Sequence, residues 1–318
     1  MASIDIGAGV DRLGMRLVVA VCAFAALTSV AQAAGPTAAQ RTFASPDEAV
    51  AALVEALKND DVAALRAIFG PDSDKLLTSG DEVEDAAGRK RFADAVAQGT
   101  RVEPHGDARA ELIVGSDDWP FPVPIVKAGA TWRFDTAAGE DEIVNRRIGR
   151  NELRAIATCR AFVEAQQEYA AADRDGNGAG AFAAKFVSTP GKRDGLFWPV
   201  VEGESPSPLG PLAAAAAQEG YRRKGNAPVP FHGYYFRVLT AQGPHAPGGA
   251  KSYLRNGRLT RGFALVAYPA SYDVSGIMTF VVNQQGIVFQ KNLGRQTSTL
   301  AAKATRYDPD RSWEPVTD

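Results

Sequence analysis

The chain has 318 residues, and its 35 lysines and arginines nearly balance its 37 aspartates and glutamates, giving a formal net charge of −2. Because the two signs are interspersed and no basic patch stands out, the sequence excludes nucleic acid as a partner. The length suits two domains of ordinary size.

The first 33 residues have the features of a signal peptide. Arg12 and Arg16 precede an apolar run, Leu17–Leu27, and Ala31-Gln32-Ala33 is a small-x-small cleavage site. The apolar run is shorter than the roughly twenty residues that a membrane-spanning helix needs, which favours cleavage over an uncleaved anchor. We therefore expect a periplasmic or secreted mature chain without a transmembrane segment.

The chain has two cysteines, which limits the disulfides that it can form. Cys22 lies in the signal peptide, so Cys159 stays alone in the mature chain and no intrachain disulfide can form. Cys159 shares a helical stripe with Ile156 and Phe162, which predicts a small buried hydrophobe; a reactive thiol is the alternative.

Residues 42–136, after a linker at 34–41, are predicted to form an α+β domain. Ser45 and Pro46 are typical of a helix start, and further helices are expected up to Phe69 and over Asp81–Gln98. Alternating residues then predict three strands, at Ala110–Val114, Val123–Val126 and Thr131–Phe134. This arrangement loosely resembles the NTF2-like cone.

Residues 137–318 are predicted as a second domain, entered through a long helix over 135–172. Charges dominate that helix before Asn151, so we expect its first half to be a solvated connector that lies against the first domain. A short alanine-rich helix and a β-rich end follow, with His245–Arg261 as a surface loop. The strands of this end are predicted at Tyr234–Thr240, Gly262–Tyr268, Met278–Asn283 and Ile287–Leu293.

A candidate calcium loop follows the long helix. Asp173, Asp175 and Asn177 alternate as in the opening of a calcium loop, and Gly178 permits the sharp turn. The twelfth position, where a bidentate glutamate is expected, is Ala184. Calcium is therefore a possible ligand, and a polar turn that ends the helix is the alternative.

No catalytic or cofactor-binding residues are predicted. His232 and Asp194 are the best acid/base pair available, but the three histidines are dispersed without metal-binding spacing. Ser188 and Ser275 lack the context of a nucleophile elbow.

Aromatic residues cluster around prolines late in the chain. They are expected either to face a peptide or glycan or to pack in the core. The residues are Trp198, Phe231, Tyr234, Tyr235 and Phe236.

Three sequence runs carry a resemblance to a known family. They are residues 188–199 (STPGKRDGLFWP), 231–237 (FHGYYFR) and 275–283 (SGIMTFVVN). These runs resemble a bacterial exported family catalogued as domain of unknown function 2950, over about Thr42 to Trp313. The resemblance implies a fold neighbourhood and no assigned activity.

A second resemblance concerns the last domain alone. A long helix with Ala155, Gln166 and Tyr169, a Gly-rich loop and an antiparallel β-meander that ends in a hairpin resemble the pilin and pseudopilin globular domain. We therefore expect an exported, non-catalytic protein that acts as an envelope interaction or assembly module with an envelope protein as partner. The alternative is a small-ligand-binding protein or hydrolase with a cleft around His232 and Asp194.

Overall fold

A computed structural model of the chain describes residues 39–174, 180–200, 203–222 and 228–317. Helices dominate its start and antiparallel strands its end, which confirms the predicted α+β class. The expected signal peptide lies outside the described residues.

The helices are bounded as follows: α1 Pro46–Lys58, α2 Val62–Phe69, α3 Asp74–Leu77, α4 Glu82–Gln98, α5 Thr136–Ala170, α6 Gly210–Glu219 and α7 Thr297–Lys303, with a 3₁₀ turn at Gly294–Gln296. The strands are β1 Thr100–Pro104, β2 Arg109–Val114, β3 Trp119–Pro120, β4 Ile125–Ala128, β5 Thr131–Phe134, β6 Tyr234–Leu239, β7 Ala241–Gln242, β8 Lys251–Ser252, β9 Leu254–Arg255, β10 Arg258–Leu259, β11 Ala264–Pro269, β12 Met278–Asn283, β13 Phe289–Asn292 and β14 Glu314–Pro315.

The first helices begin where their capping residues predict. The Ser45 hydroxyl accepts a hydrogen bond from the Glu48 amide at 3.1 Å, and Pro46 occupies the first turn. Asp81 caps α4 by accepting from two amides of its first turn at 3.2 Å each. The one-turn helix α3 was not predicted, because four residues carry no periodic signal.

The first sheet has the strand order β1-β2-β4-β5, with β3 paired to β2, and its pairs are antiparallel. The three predicted strands correspond to β2, β4 and β5, whereas β1 and β3 were missed. Helices α1, α2 and α4 contact this sheet. Their shared core is centred on fully or almost fully buried side chains, among them Phe43, Leu53, Ile68, Leu112 and Phe134.

The long helix α5 confirms the prediction of a helix over 135–172. Its first half lies against the preceding helices, as expected, but it is partly buried and not solvated throughout. Val144 and Ile148 are buried there, one turn apart on the same face. Gly139 touches the neighbouring loop so closely that a Cβ would lie 2.4 Å from the Pro122 carbonyl oxygen. The charges of this half therefore flank an apolar stripe that packs.

The second sheet has the strand order β14-β13-β12-β11-β6, and all its pairs are antiparallel. Successive residues of β11 point to opposite faces of the sheet. Leu265 packs in a hydrophobic cluster with residues of α5, and Val266 packs in a separate hydrophobic cluster, so the sheet is buried on both faces. Cys159 is fully buried against it, and burial raises the pKa of its thiol to about 12. The predicted buried hydrophobe is confirmed.

The segment His245–Arg261 is more than a surface loop. It contains β8, β9 and β10, and Tyr253 and Leu259 within it are fully buried. The Tyr253 hydroxyl donates to Gln242 at 3.0 Å, which ties the segment to β7. Its glycines and cations predicted exposure, whereas two large apolar side chains fix it to the core.

Among the described residues, no helix is both long enough and apolar enough to cross a membrane. The division into domains at 42–136 and 137–318 stays a prediction. A fragment from residue 138 to 318 that unfolds cooperatively would support it.

Candidate functional site

A cavity of about 360 Å³ lies between the helices α1–α4 and the first half of α5. Its volume falls in the range of small-molecule sites. Its apolar wall comprises Leu57, Leu65, Phe69, Leu76, Leu77, Phe92, Ala95, Trp119, Phe121 and Ile143, with Gly88 beside them. Its charged wall comprises Glu84, Asp85, Arg89, Arg91, Arg146, Arg147 and Arg150. We call it the arginine cavity.

Aromatic rings form part of the apolar wall. Phe92 and Phe121 stack with centroids 4.9 Å apart and an interplanar angle of 21°. Trp119 meets both rings edge-on, at 6.2 and 6.0 Å. Flat faces of this kind favour a flat or branched apolar group as their contact.

Helical spacing explains why the charges converge. Arg146 and Arg150 on α5 are four residues apart, and Arg154 continues the same row one turn further. On α4, Arg91 follows Glu84 by seven residues, which is about two turns. Two facing helices therefore present their charged rows to each other.

Glu84 is the centre of the charged wall, with a side chain only 5% exposed. Arg91 donates to its Oε1 at 2.8 Å, and Arg154 donates to its Oε2 at 2.9 Å. Arg150 approaches Oε1 at 3.6 Å, and the ring of His232 approaches Oε2 at the same distance. One buried carboxylate thus compensates several cations.

Burial alone would raise the pKa of Glu84. The adjacent ring of His232, the hydrogen bond from Arg91 and the charge of Arg154 outweigh that effect and lower the pKa to about 2. Glu84 is therefore ionised throughout the neutral range. Its neighbour differs, because burial raises the pKa of Asp85 despite hydrogen bonds from Ser79.

Two further arginines of the wall are held by carboxylates outside the cavity. Arg146 donates to Glu142 at 2.6 Å and lies over the Trp119 ring, 5.5 Å from its centroid. Arg89 donates to Asp60 at 2.6 Å. Each cation is thus fixed in place by a carboxylate that does not line the cavity.

Arg147 is held differently, by the backbone. It donates to the Lys75 and Leu76 carbonyl oxygens at 2.7 and 2.6 Å. Burial lowers its pKa, with the charges of Asp85 and Glu84 opposing. Because an arginine starts from a pKa of about 12 or more, it stays a cation.

Asp81, at the start of α4, joins this region to a later segment of the chain. Its Oδ2 accepts from the Tyr221 hydroxyl at 2.9 Å and from the Gly233 amide at 2.8 Å. Gly233 has φ 79°, and a Cβ there would lie 2.5 Å from the side-chain nitrogen Nδ2 of Asn151. Only glycine fits this junction.

The structure places His232 and Asp194, the predicted acid/base alternative, in different surroundings. His232 lies between Glu84 and Glu219, with its Nε2 3.4 Å from Glu219. Asp194 accepts from Lys185 and from the Thr189 amide, both at 2.7 Å. The two have no partner in common among the described residues.

Asp194 closes a turn. Burial would raise the pKa of its carboxyl, but the hydrogen bonds from Lys185 and Thr189 prevail and lower it to about 2. The serines noted in the sequence also hold backbone: Ser188 accepts from the Gly195 amide at 3.0 Å, and Ser275 accepts from the Ser271 amide at 2.9 Å.

A second cavity, of about 430 Å³, takes up part of the predicted aromatic cluster, and we call it the apolar cavity. Phe231, Tyr235 and Phe236 line it, whereas Trp198 and Tyr234 are buried in the core. Its other described lining residues are Thr158, Phe186, Val187, Phe197, Leu209, Leu212, Ala213, Ala216, Tyr221, Arg222, Pro228, Val229 and Pro230.

The candidate calcium loop is only partly described. Asp173 follows the end of α5, whereas Asp175 and Asn177 lie outside the described residues. The Gly180 amide donates to the Ala170 carbonyl at 3.0 Å and so returns the chain to the helix end. Calcium binding stays a prediction, which a calcium-dependent rise in melting temperature would test.

Side chains of metal-ligand type also meet on the β1–β2 hairpin. Glu103 lies directly across from Glu111, and His105 Nε2 is 3.3 Å from Glu111. The ligand atoms of these three residues lie within 4.8 Å of one another. Arg101 already binds Glu103 at 2.7 Å, so the group is a surface ion-pair network.

Sequence reasoning missed the arginine cavity. The signal was present as the row of arginines on α5, which periodicity places on one face. Its apolar wall comes from five helices, strand β3 and the loop after it, and only the tertiary structure brings these together.

Comparison with known proteins gives a family and no activity. The model of a protein family of unknown function, DUF2950, matches residues 40–316. A search of curated proteins and a search of solved structures found no match.

Proposed function

We propose that this chain, which belongs to the DUF2950 family of unknown function, binds a small ligand in the arginine cavity without transforming it. The observation that carries the proposal is a 360 Å³ space with aromatic rings on one wall and five arginines on another. Small-molecule sites typically combine an apolar lining with a few fixed polar groups.

The composition of the wall supports binding over catalysis. Among the described lining residues there is no hydroxyl, thiol or imidazole that could serve as a nucleophile or a neutral-pH base. Glu84, with a pKa of about 2, is too weak a base for proton transfer near neutrality, and both oxygens of Asp85 accept hydrogen bonds from the Ser79 amide. The arginines can orient an anion, and they cannot accept a proton.

The proposal places this binding outside the cytoplasm, because the segment up to Ala33 has the features of a cleaved signal peptide. N-terminal sequencing of the protein from an envelope fraction is expected to begin at Ala34. An intact start in the cytosol would contradict the location and leave the binding site unaffected.

Gly88 offers a direct test of the site. It lines the arginine cavity, and a Cβ there would meet the Arg91 guanidinium at an ordinary 3.7 Å. Gly88→Trp is expected to fill the space, whereas Gly88→Ala adds only a methyl group. With the neutral naphthalene dye prodan as probe, fluorescence titration should show at least tenfold weaker binding to Gly88→Trp than to wild type and Gly88→Ala.

A matched variant distinguishes the two cavities. Ala213 lines the apolar cavity, so Ala213→Trp should bind prodan as tightly as wild type does, whereas Gly88→Trp should bind it at least tenfold more weakly. Equal binding by all three variants and wild type would overturn the proposal. Binding removed by Ala213→Trp alone would assign the probe to the apolar cavity.

The apolar cavity favours a second candidate function, the envelope interaction module expected from the sequence. Its aromatic and proline lining suits an extended apolar segment of a partner protein. A photo-crosslinking residue at Val229, which is 37% exposed, should then capture one envelope protein in cells. The same residue at Leu300, 45% exposed and outside the cavity, is the control.

A further inference from the structure

We infer that the ligand of the arginine cavity is an amphipathic oxyanion, a carboxylate or phosphate monoester on an apolar body. This inference rests on the proposed function and adds the chemical class of the ligand. It is carried by the charge of the wall, by the free donors of Arg150 and by the position of the aromatic rings.

The wall has more positive than negative charge. Its five arginines face two carboxylates, Glu84 and Asp85, which leaves a formal charge of +3. Asp60 and Glu142 pair with two of the arginines from outside, and Arg154 adds a further cation at Glu84. Counting these direct partners leaves +2, which one or two negative charges on a ligand would compensate.

Arg150 is the best-placed group to receive the anion. Its closest approach to Glu84 is 3.6 Å, which is longer than a hydrogen bond. Within the described part of the chain it makes no hydrogen bond. A guanidinium carries five N–H donors in a planar fork, and that fork matches the two oxygens of a carboxylate or phosphate.

Glu84 shows that a carboxylate is a stable partner for this set of arginines. Arg91 and Arg154 donate to it at 2.8 and 2.9 Å although it is almost completely buried. A ligand head group bound beside it, at Arg150 and Arg147, would meet the same chemistry from the cavity side.

The apolar wall then accounts for the rest of the ligand. Phe92 and Phe121 line the same cavity as Arg150. When the head group of the ligand binds Arg150, the apolar body of the ligand therefore lies against these two aromatic rings. Burial of such a body drives binding, and the oxyanion provides selectivity.

Four naphthalene compounds test the class, since they share a body and differ in charge. They are naphthalene-2-carboxylate, 2-naphthyl phosphate, the neutral naphthalene-2-carboxamide and the cationic 2-naphthylmethylamine. Calorimetric titration of the full chain at pH 7 should give at least tenfold tighter binding for one or both anions than for the carboxamide, with the amine weakest. The ratio of carboxylate to phosphate identifies the head group.

Arg150→Gln is the matched variant, with Arg295→Gln, an exposed site outside the cavity, as control. Arg150→Gln should weaken the anions about tenfold and leave the carboxamide unchanged, which also verifies that the variant is folded. Carboxamide binding as tight as that of both anions would overturn the oxyanion class and leave the proposed function standing. Binding of none of the four compounds would overturn both.

Discussion

The two cavities of this protein are similar in volume and differ in the number of charged residues in their walls. The arginine cavity, of about 360 Å³, has seven charged residues in its wall, whereas the described wall of the 430 Å³ apolar cavity has Arg222 alone. Both have an apolar wall that includes aromatic rings. Burial of apolar surface can drive ligand binding in both cavities. The arginine cavity adds a set of charged residues that can select one class of ligand over another.

The cavities are also connected. Tyr221 lines the apolar cavity, and its hydroxyl donates to Asp81, three residues before Glu84 in the arginine cavity. The cap of one helix therefore holds a wall of each site in place. Removing the Asp81 carboxylate should break this connection, and changes to Glu84 and Gly88 should then affect the arginine cavity alone.

The largest effect is expected from Asp81→Ala. The buried Asp81 carboxylate accepts from the Tyr221 hydroxyl, the Gly233 amide and two amides of its own helix. Its removal leaves buried donors unsatisfied, so the free energy of unfolding should fall by about 3 kcal/mol. Urea denaturation measures this.

Asp107→Ala on the exposed β1–β2 turn is the control for that variant and should change stability by less than about 0.5 kcal/mol. If the two variants were equally stable, the hydrogen bonds of Asp81 would not stabilise the junction between the cavities.

The next largest effect is a pH dependence of the free energy of unfolding, which comes from Glu84 in the arginine cavity. The folded pKa of Glu84 is about 2, below the ordinary 4.5. Its contribution to stability is therefore complete above about pH 4.5 and is lost as pH falls through about 2. A shift of this size corresponds to roughly 3 kcal/mol.

Unfolding of wild type and Glu84→Gln between pH 2 and pH 7 isolates that contribution. The stability difference between them should shrink as the pH falls. Asp194→Asn is the comparison, because Asp194 also has a pKa of about 2 but lies in a turn with its side chain 30% exposed. Solvent screening should limit its contribution to about 1 kcal/mol or less. A pH-independent difference for Glu84→Gln would contradict the charged-wall interpretation.

Much of the fold was predictable because its signals are local. Ser45 and Asp81 cap helices through their own first turns, and β12 has the bounds that its apolar run predicts. The length of α5 followed from periodicity. The position of its first half against the preceding helices was also predicted, whereas its burial was not, since Val144 and Ile148 are a small apolar stripe among many charges.

The arginine cavity could not be predicted in the same way, because its wall is assembled across distance. Glu84 and Arg154 are seventy residues apart in the chain and meet at 2.9 Å. His232 joins them from a third segment, which is why its role as a neighbour of Glu84 was invisible in the sequence. The aromatic residues near prolines were expected at a ligand-facing surface or in the core, and the structure divides them: three of the five line the apolar cavity and two are buried in the core.

A smaller effect should sharpen the charge difference between the cavities. Glu84→Gln removes a negative charge from the arginine cavity, so naphthalene-2-carboxylate should bind about tenfold tighter, or roughly 1.4 kcal/mol. The affinity for naphthalene-2-carboxamide should stay the same. Weaker binding of the carboxylate would mean that Glu84 positions the arginines for the ligand more than it competes with it.

The smallest effect concerns Gly88, whose place in the middle of α4 is unfavourable for a helix. Gly88→Ala should raise the free energy of unfolding by about 0.5–1 kcal/mol, because alanine loses less backbone entropy on folding. Gly149→Ala on α5 is the matched control: it is exposed, and a Cβ there meets nothing within 4 Å. Thermal unfolding should show the same gain for both. Since only Gly88 lines the arginine cavity, a gain at Gly149 without one at Gly88 would show that the new methyl group displaces Arg91 and strains the wall.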